Sequence, residues 1–275
     1  MNWSLISERT LDQYELRARL LPGLLVLLPA VAFFALLYGT KSPMVVGLGS
    51  VMATCGGPYL LSSFVRTHGL RAQERLYQRW GGPPTTLLLR HRDTHLPLQT
   101  KLHYHELAAS RLGVVMPRPE EEQQDPARAD EAYAAAADAL RPLTTDRKAF
   151  PFVFKELVTY GFNRNAYGSR WVGFFVSMAT TVATLLHAEA FRPLPPYWAP
   201  EELDAIHVVV LVLALGFAAL WCMHFTGETV RYAGVGYAKR LWESLKELPK
   251  KPSRARLSRA KSGEGGGTPI TPKET

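Results

Sequence analysis

Cysteine is nearly absent. Cys55 and Cys222 are the only two in 275 residues, so no disulfide framework can staple the chain. The sequence also lacks the motifs of common chemistries. It has no HExxH pair for zinc, no GxxxxGK[ST] phosphate loop and no Ser-His-Asp elbow. No catalytic residue is therefore assigned, and no cofactor is identified. A third absence is the most informative one. Residues 20–40, 42–65, 171–188 and 205–226 contain no Asp, Glu, Lys or Arg. A bilayer core about 30 Å thick needs roughly 20 apolar helical residues. Four stretches reach or approach that length, which excludes a soluble globular enzyme.

The charges that are present sort by side. Lys and Arg number 3 in residues 1–19, 16 in 66–170 and 11 after residue 226. Only Lys41 and Arg192 fall in the two remaining connections. Cytoplasmic loops carry the Lys/Arg excess, so both termini and the 66–170 region are expected in the cytoplasm. The first span is expected to be a retained anchor, because its apolar run exceeds the 7–15 residues of a signal peptide. The Ala- and Arg-rich composition, with the run 134–137, fits a bacterial inner-membrane protein. The expected fold class is an all-α membrane protein. Four transmembrane helices form two hairpins, and a mainly helical cytoplasmic domain is inserted between them. The segments are 1–19, cytoplasmic; 20–65, first hairpin; 66–170, cytoplasmic domain; 171–226, second hairpin with an external Pro-rich loop at 188–204; and 227–275, a basic, partly disordered cytoplasmic tail.

Small residues recur within the spans at intervals of four. Gly49, Ala53 and Gly57 lie on one face of the second span, and Gly173 and Ser177 on one face of the third. Such spacing lets helix backbones approach closely in lipid. No acidic or basic residue lies inside a span, which argues against a pump or secondary transporter. In the cytoplasmic region, 66–80 extends the second span and stops at Gly81-Gly82-Pro83-Pro84. Residues 98–112 read as an amphipathic helix ended by Gly113, and 86–90 and 112–116 suit either a helix or a short strand. Residues 118–124 read as a surface loop. Asp125-Pro126 opens an Ala-rich helix to Leu140. A further helix over 150–160 is expected to break at Gly161.

Three clusters carry candidate chemistry. His91, Asp93, His95, His103 and His105 concentrate metal-ligand types within 15 residues, and a catalytic zinc wants three protein ligands and a water. Arg90, Arg92 and Lys101, with the Thr85 and Thr86 hydroxyls, form a candidate phosphate cradle, since the arginine fork suits that anion. Tyr160, Asn163, Arg164 and Asn165 sit where the domain enters the membrane and are candidates for coupling the two.

The order of elements over 20–226 resembles the four-span membrane effectors of bacterial oligonucleotide-signalling defence systems. The resemblance implies a cytosolic signal that provokes membrane disruption. Three functions are weighed: a sensor whose helix bundle responds to a ligand or partner, a scaffold recruiting a cytoplasmic protein, and a membrane-bound metal-dependent hydrolase. The expected partners are the lipid bilayer, anionic lipid head groups at the basic tail, and a second copy or another membrane or cytoplasmic protein. No nucleic-acid duplex is expected.

Overall fold

The computed structural model describes residues 13–39, 42–43, 46–47, 49–50, 56–191 and 197–248. Its regular elements are helices: α1 (Glu15–Tyr38), α2 (Gly57–Trp80), α3 (Pro84–Leu87), α4 (Leu98–Leu112), α5 (Pro119–Gln124), α6 (Pro126–Leu140), α7 (Pro151–His187), α8 (Ala205–Met223) and α9 (Gly227–Glu243). The strand alternative at 86–90 and 112–116 is not realised. Among the described residues, extended pairing is limited to the isolated Phe191–Trp198 bridge.

Among the described residues, three helices, α1, α7 and α8, are long and apolar enough to cross a membrane, where four were expected. The second expected span, 42–65, is described only in part, because 44–45, 48 and 51–55 lie outside the described residues. Ala53 is among those. Gly49 is exposed, with nothing within 4 Å of where a side chain would begin. Gly57 is the first residue of α2.

Local chemistry accounts for most boundaries. Asp125 caps α6 by accepting from the Arg128 N–H at 3.0 Å, with Pro126 in the first turn. Gly81 and Gly113 end α2 and α4 in the left-handed region, at φ 78° and 71°. The expected break at Gly161 does not occur. α7 runs unbroken through Gly161, Gly168 and Gly173 for 37 residues. These glycines serve close packing instead. A Cβ at Gly161 would stand 2.8 Å from the Tyr14 hydroxyl, and one at Gly168 would stand 2.6 Å from the His68 backbone. α2 and α7 thus cross nearly backbone to backbone.

α7 is the element that the others pack around, touching α1, α2, α8 and α9. Its inner face carries Asn165, Ser169, Gly173, Ser177 and Thr181, four apart and all buried. Ser177 and Thr181 donate to the carbonyls of Gly173 and Ser177 at 2.8 and 3.0 Å, so their burial leaves those hydroxyls satisfied. Gly173 admits the Trp221 ring of α8. Trp171, Phe175, Val182 and Leu186 are exposed on the same helix. Large apolar residues outside and small residues inside is the pattern of a helix solvated by lipid tails.

The second core lies at the opposite end. Leu88, Leu89, Tyr104, Tyr133, Leu140 and Phe150 pack with Ala238, Leu241, Trp242 and Leu245. The last four belong to a segment expected to be part of a basic tail. Instead, residues 227–248 complete the domain core, and Trp242 Nε1 donates to the Thr85 carbonyl at 3.0 Å. Residues 249–275 lie outside the described residues.

The α2–α7 crossing gives a direct prediction. Gly168→Leu should cost about 3 kcal/mol by overpacking, read as a lower midpoint of thermal unfolding in detergent. Gly216→Ala, at an exposed α8 position with open space around it, should be neutral or stabilise by under about 1 kcal/mol.

Candidate functional site

The basic cluster around residue 90 is turned inward onto carboxylates. Arg90 grips Asp130 through Nε and Nη2 at 2.7 and 2.8 Å, and also donates to the Gly81 carbonyl at 2.6 Å. Arg92 bonds Glu122 at 2.7 Å and Asp130 at 3.0 Å. Lys101 is buried and donates to the carbonyls of His91 and Asp93 at 3.3 and 2.5 Å. Burial pushes its ammonium pKa down, against the pull of Asp93 and Glu122. The expected phosphate cradle is therefore not formed, because internal carboxylates and carbonyls already occupy these donors. Of its five members, Thr85 and Thr86 line a cavity, and Arg90, Arg92 and Lys101 do not.

The expected metal set also disperses. His91 Nε2 donates to the Pro117 carbonyl at 3.0 Å, and His105 Nε2 to the Leu89 carbonyl at 2.8 Å. Their rings meet edge to face at 4.6 Å. Burial lowers the His105 pKa, so the ring is neutral in the core. His95 bonds its neighbour Asp93 at 2.9 Å, and His103 is exposed on α4. Among the described residues, no three His, Cys, Asp or Glu side chains converge, as the catalytic centre expected here would need. The hydrolase reading loses its proposed centre.

Glu122 organises this region, although the sequence suggested a solvated loop there. Its carboxylate accepts from the Tyr133 hydroxyl at 2.6 Å, the His91 N–H at 2.7 Å and the Arg92 N–H at 3.2 Å, besides the Arg92 guanidinium. Burial alone would raise its pKa. Those four donors win and hold it down to about 2.

The cavity itself measures about 400 Å³, within the range of small-ligand sites. Its walls come from α2 (Gln73, Tyr77), the α3 turn (Pro83–Thr86), α6 and the turn after it (Asp138, Arg141), α7 (Leu157, Tyr160) and α9 (Gly234, Tyr237). Tyr160 and Tyr237 lie nearly parallel, with centroids 6.1 Å apart. Burial raises the pKa of Tyr77 and Tyr237, so both remain neutral phenols. Thr86 Oγ1 is buried at this wall without a hydrogen-bond partner. Arg141 pairs with Asp138 at the rim, and its other terminal nitrogen lies 3.5 Å from Thr85 Oγ1. Aromatic faces, neutral hydroxyls and one guanidinium make a binding site. Protonated phenols are poor general bases, so acid–base chemistry is not what this wall offers.

From the cavity a hydrogen-bond chain leads toward the long apolar helices. Tyr77 and Tyr160 hydroxyls meet at 2.8 Å, and Tyr160 donates to Gln73 Oε1 at 3.2 Å. Arg164 donates to the same oxygen at 2.9 Å and to Asn165 Oδ1 at 3.2 Å. Asn165 Nδ2 donates to the Ala18 carbonyl of α1 at 2.6 Å. The residue four positions on from that carbonyl is Pro22, which has no N–H to offer it. Of the four expected coupling residues, Tyr160, Arg164 and Asn165 belong to this chain. Asn163 bonds only back to Thr159 of its own helix.

Gln73, Tyr77, Glu122, Asp130, Arg141 and Tyr237 were not singled out from the sequence. Each is an ordinary polar or aromatic helical residue, and the tertiary fold alone brings it to its site. No family model matches the chain, and neither curated proteins nor solved structures give a significant match.

Glu122→Gln should destabilise the protein by about 3 kcal/mol at neutral pH, the equivalent of its pKa depression. The folded pKa lies below the ordinary 4.5. The wild-type contribution is therefore complete above pH 4.5 and lost as the pH falls toward 2. Chemical denaturation across that window should show stability falling with acid in the wild type and a flatter profile in the variant.

Proposed function

We propose that this is a multi-pass inner-membrane protein that senses a small cytoplasmic ligand and converts its binding into a rearrangement of the helix bundle. The observation that carries this reading is the continuity of α7. The same helix places Tyr160 in the cavity wall and packs Gly173 against Trp221 of α8. A helix of 37 residues is about 55 Å long, and the hydrocarbon core takes about 30 Å of it. The remainder reaches into the cytoplasmic domain.

In this proposal the chain crosses the membrane four times, with 42–65 as the second crossing. Both termini and the cavity-bearing domain face the cytoplasm, as the Lys/Arg distribution favours. The cavity suits a ligand with a flat aromatic or apolar body and an anionic group. Tyr160 and Tyr237 would face the former, and Arg141 would receive the latter at the cost of its pairing with Asp138. A nucleoside or nucleotide has that character and fits the volume. Membrane disruption is the output proposed from the resemblance to four-span defence effectors. The basic residues of 246–261 would hold anionic head groups, and assembly with further copies would use the small-residue faces.

Two measurements test the reading. Periplasmic reporters fused at residues 40 and 195 should both be active; silence at both would remove the four-span arrangement. Thermal unfolding of the purified protein should then be followed against nucleosides, nucleotides and cyclic oligonucleotides. A cognate ligand at a hundred times its Kd adds about 2.7 kcal/mol. Arg141→Ala and Tyr237→Ala should abolish that shift, whereas Arg92→Ala should leave it in place. A shift lost in Arg92→Ala but kept in Arg141→Ala would put the site elsewhere.

A further inference from the structure

The far end of α7 carries a second group of chemically active side chains. His187 is the last residue of α7, about 40 Å along the helix from Tyr160. The helix stops there in a paired turn: the Ala190 N–H reaches the Leu185 carbonyl and the Glu189 N–H reaches that of Leu186, both at 3.1 Å. The φ of 53° at Glu189 belongs to that turn. Phe191 pairs with Trp198 and the Ala199 N–H bonds the Ala190 carbonyl at 2.9 Å, and α8 starts beside the end of α7. Asp204 caps α8 by accepting from the His207 N–H at 2.9 Å. These two helix ends bring His187 Nδ1 to 2.9 Å from His207 Nε2.

We propose that His187 and His207 form a binding site for a divalent transition-metal ion of the zinc or copper class. Imidazole nitrogen suits those ions, whereas magnesium and calcium prefer oxygen. Two nitrogen ligands of a tetrahedral ion, each about 2.0–2.1 Å from it, stand about 3.3 Å apart. The observed pair needs to open by only about half an ångström, a small side-chain rotation.

The surroundings favour the ligating tautomer. Asp204 Oδ1 lies 2.7 Å from His207 Nδ1, off the line of a straight hydrogen bond but close enough to hold a proton there. With the proton on Nδ1, the lone pair of His207 is on Nε2, the atom that faces His187. A carboxylate behind a ligating histidine is the usual support of such a site. His207 is buried, whereas His187 is exposed, so an ion can enter from one side and keep water in its remaining positions. The rings of Phe33 and Tyr38 stand edge-on to His187, at 6.1 and 5.4 Å between centroids, and limit its swing. With two protein ligands the site should bind reversibly and more weakly than a closed structural site. This inference does not depend on the cavity or on its ligand.

The test uses the full-length protein in detergent, titrated separately with zinc and copper(II). One equivalent per chain should bind, and the copper spectrum should show two equatorial nitrogens by electron paramagnetic resonance. His187→Ala and His207→Ala should each remove the two-nitrogen signature. Asp204→Asn should weaken binding by about 10- to 100-fold. His91→Ala, a core variant, and His224→Ala, near the other end of α8, should leave it intact. Because either alanine variant could disturb the helix ends, His187→Gln, which retains a polar partner for His207, should fold normally and still fail to bind. Stoichiometric binding that persists in His187→Gln, or a wild-type protein that binds neither ion, would overturn the proposal.

Discussion

A helix of 37 residues measures about 55 Å, nearly twice the thickness of a bilayer core, so a membrane could enclose only part of α7. Along its inward face Asn165, Ser177 and Thr181 find partners for their polar groups, whereas the buried Ser169 hydroxyl has none among the described residues. Asn165 donates to the Ala18 carbonyl, and Ser177 and Thr181 return their hydroxyls to their own helix. Glycines at 161, 168 and 173 give way to Tyr14, the α2 backbone and Trp221. In hydrocarbon, unsatisfied groups cost several kcal/mol each. The inward face of α7 seats its neighbours with its polar side chains largely bonded.

From that constraint the rest of the architecture follows. The α2–α7 crossing sets Gln73 and Tyr77 opposite Tyr160 and Arg164, where a single amide oxygen accepts from both a phenol and a guanidinium. α9 closes the domain by laying Trp242 under Thr85 and bringing Tyr237 alongside Tyr160. The cavity is the space left between those helices. A ligand that moved Tyr160 or Arg141 would act on the same hydrogen-bond chain that reaches α1, which is how the proposed sensing would be transmitted.

Much of this was legible locally. Asp125-Pro126, Gly81 and Gly113 marked helix ends because capping chemistry is decided within a few residues. Charge-free runs marked three long apolar helices for the same reason. Gly161 misled because a glycine that breaks a helix and one that admits a neighbouring helix look alike without the neighbour. Residues 227–248 read as tail because their basic residues outweighed a short apolar face, which only the domain core makes visible. Arg90 and Arg92 suggested a phosphate cradle, which is not formed because internal carboxylates take the phosphate's place. The anions turned out to be Glu122 and Asp130, which lie some 30 to 40 residues away in sequence.

The most direct measurement of the central claim is amide hydrogen exchange along residues 156–176 in the full-length protein held in lipid nanodiscs. An unbroken α7, packed on both sides of Gly161, predicts slow exchange throughout, with no fast amides at 161–164 or 168–169. Rapid exchange confined to 160–164 would mean that the helix opens there, separating domain from bundle, and would contradict the account.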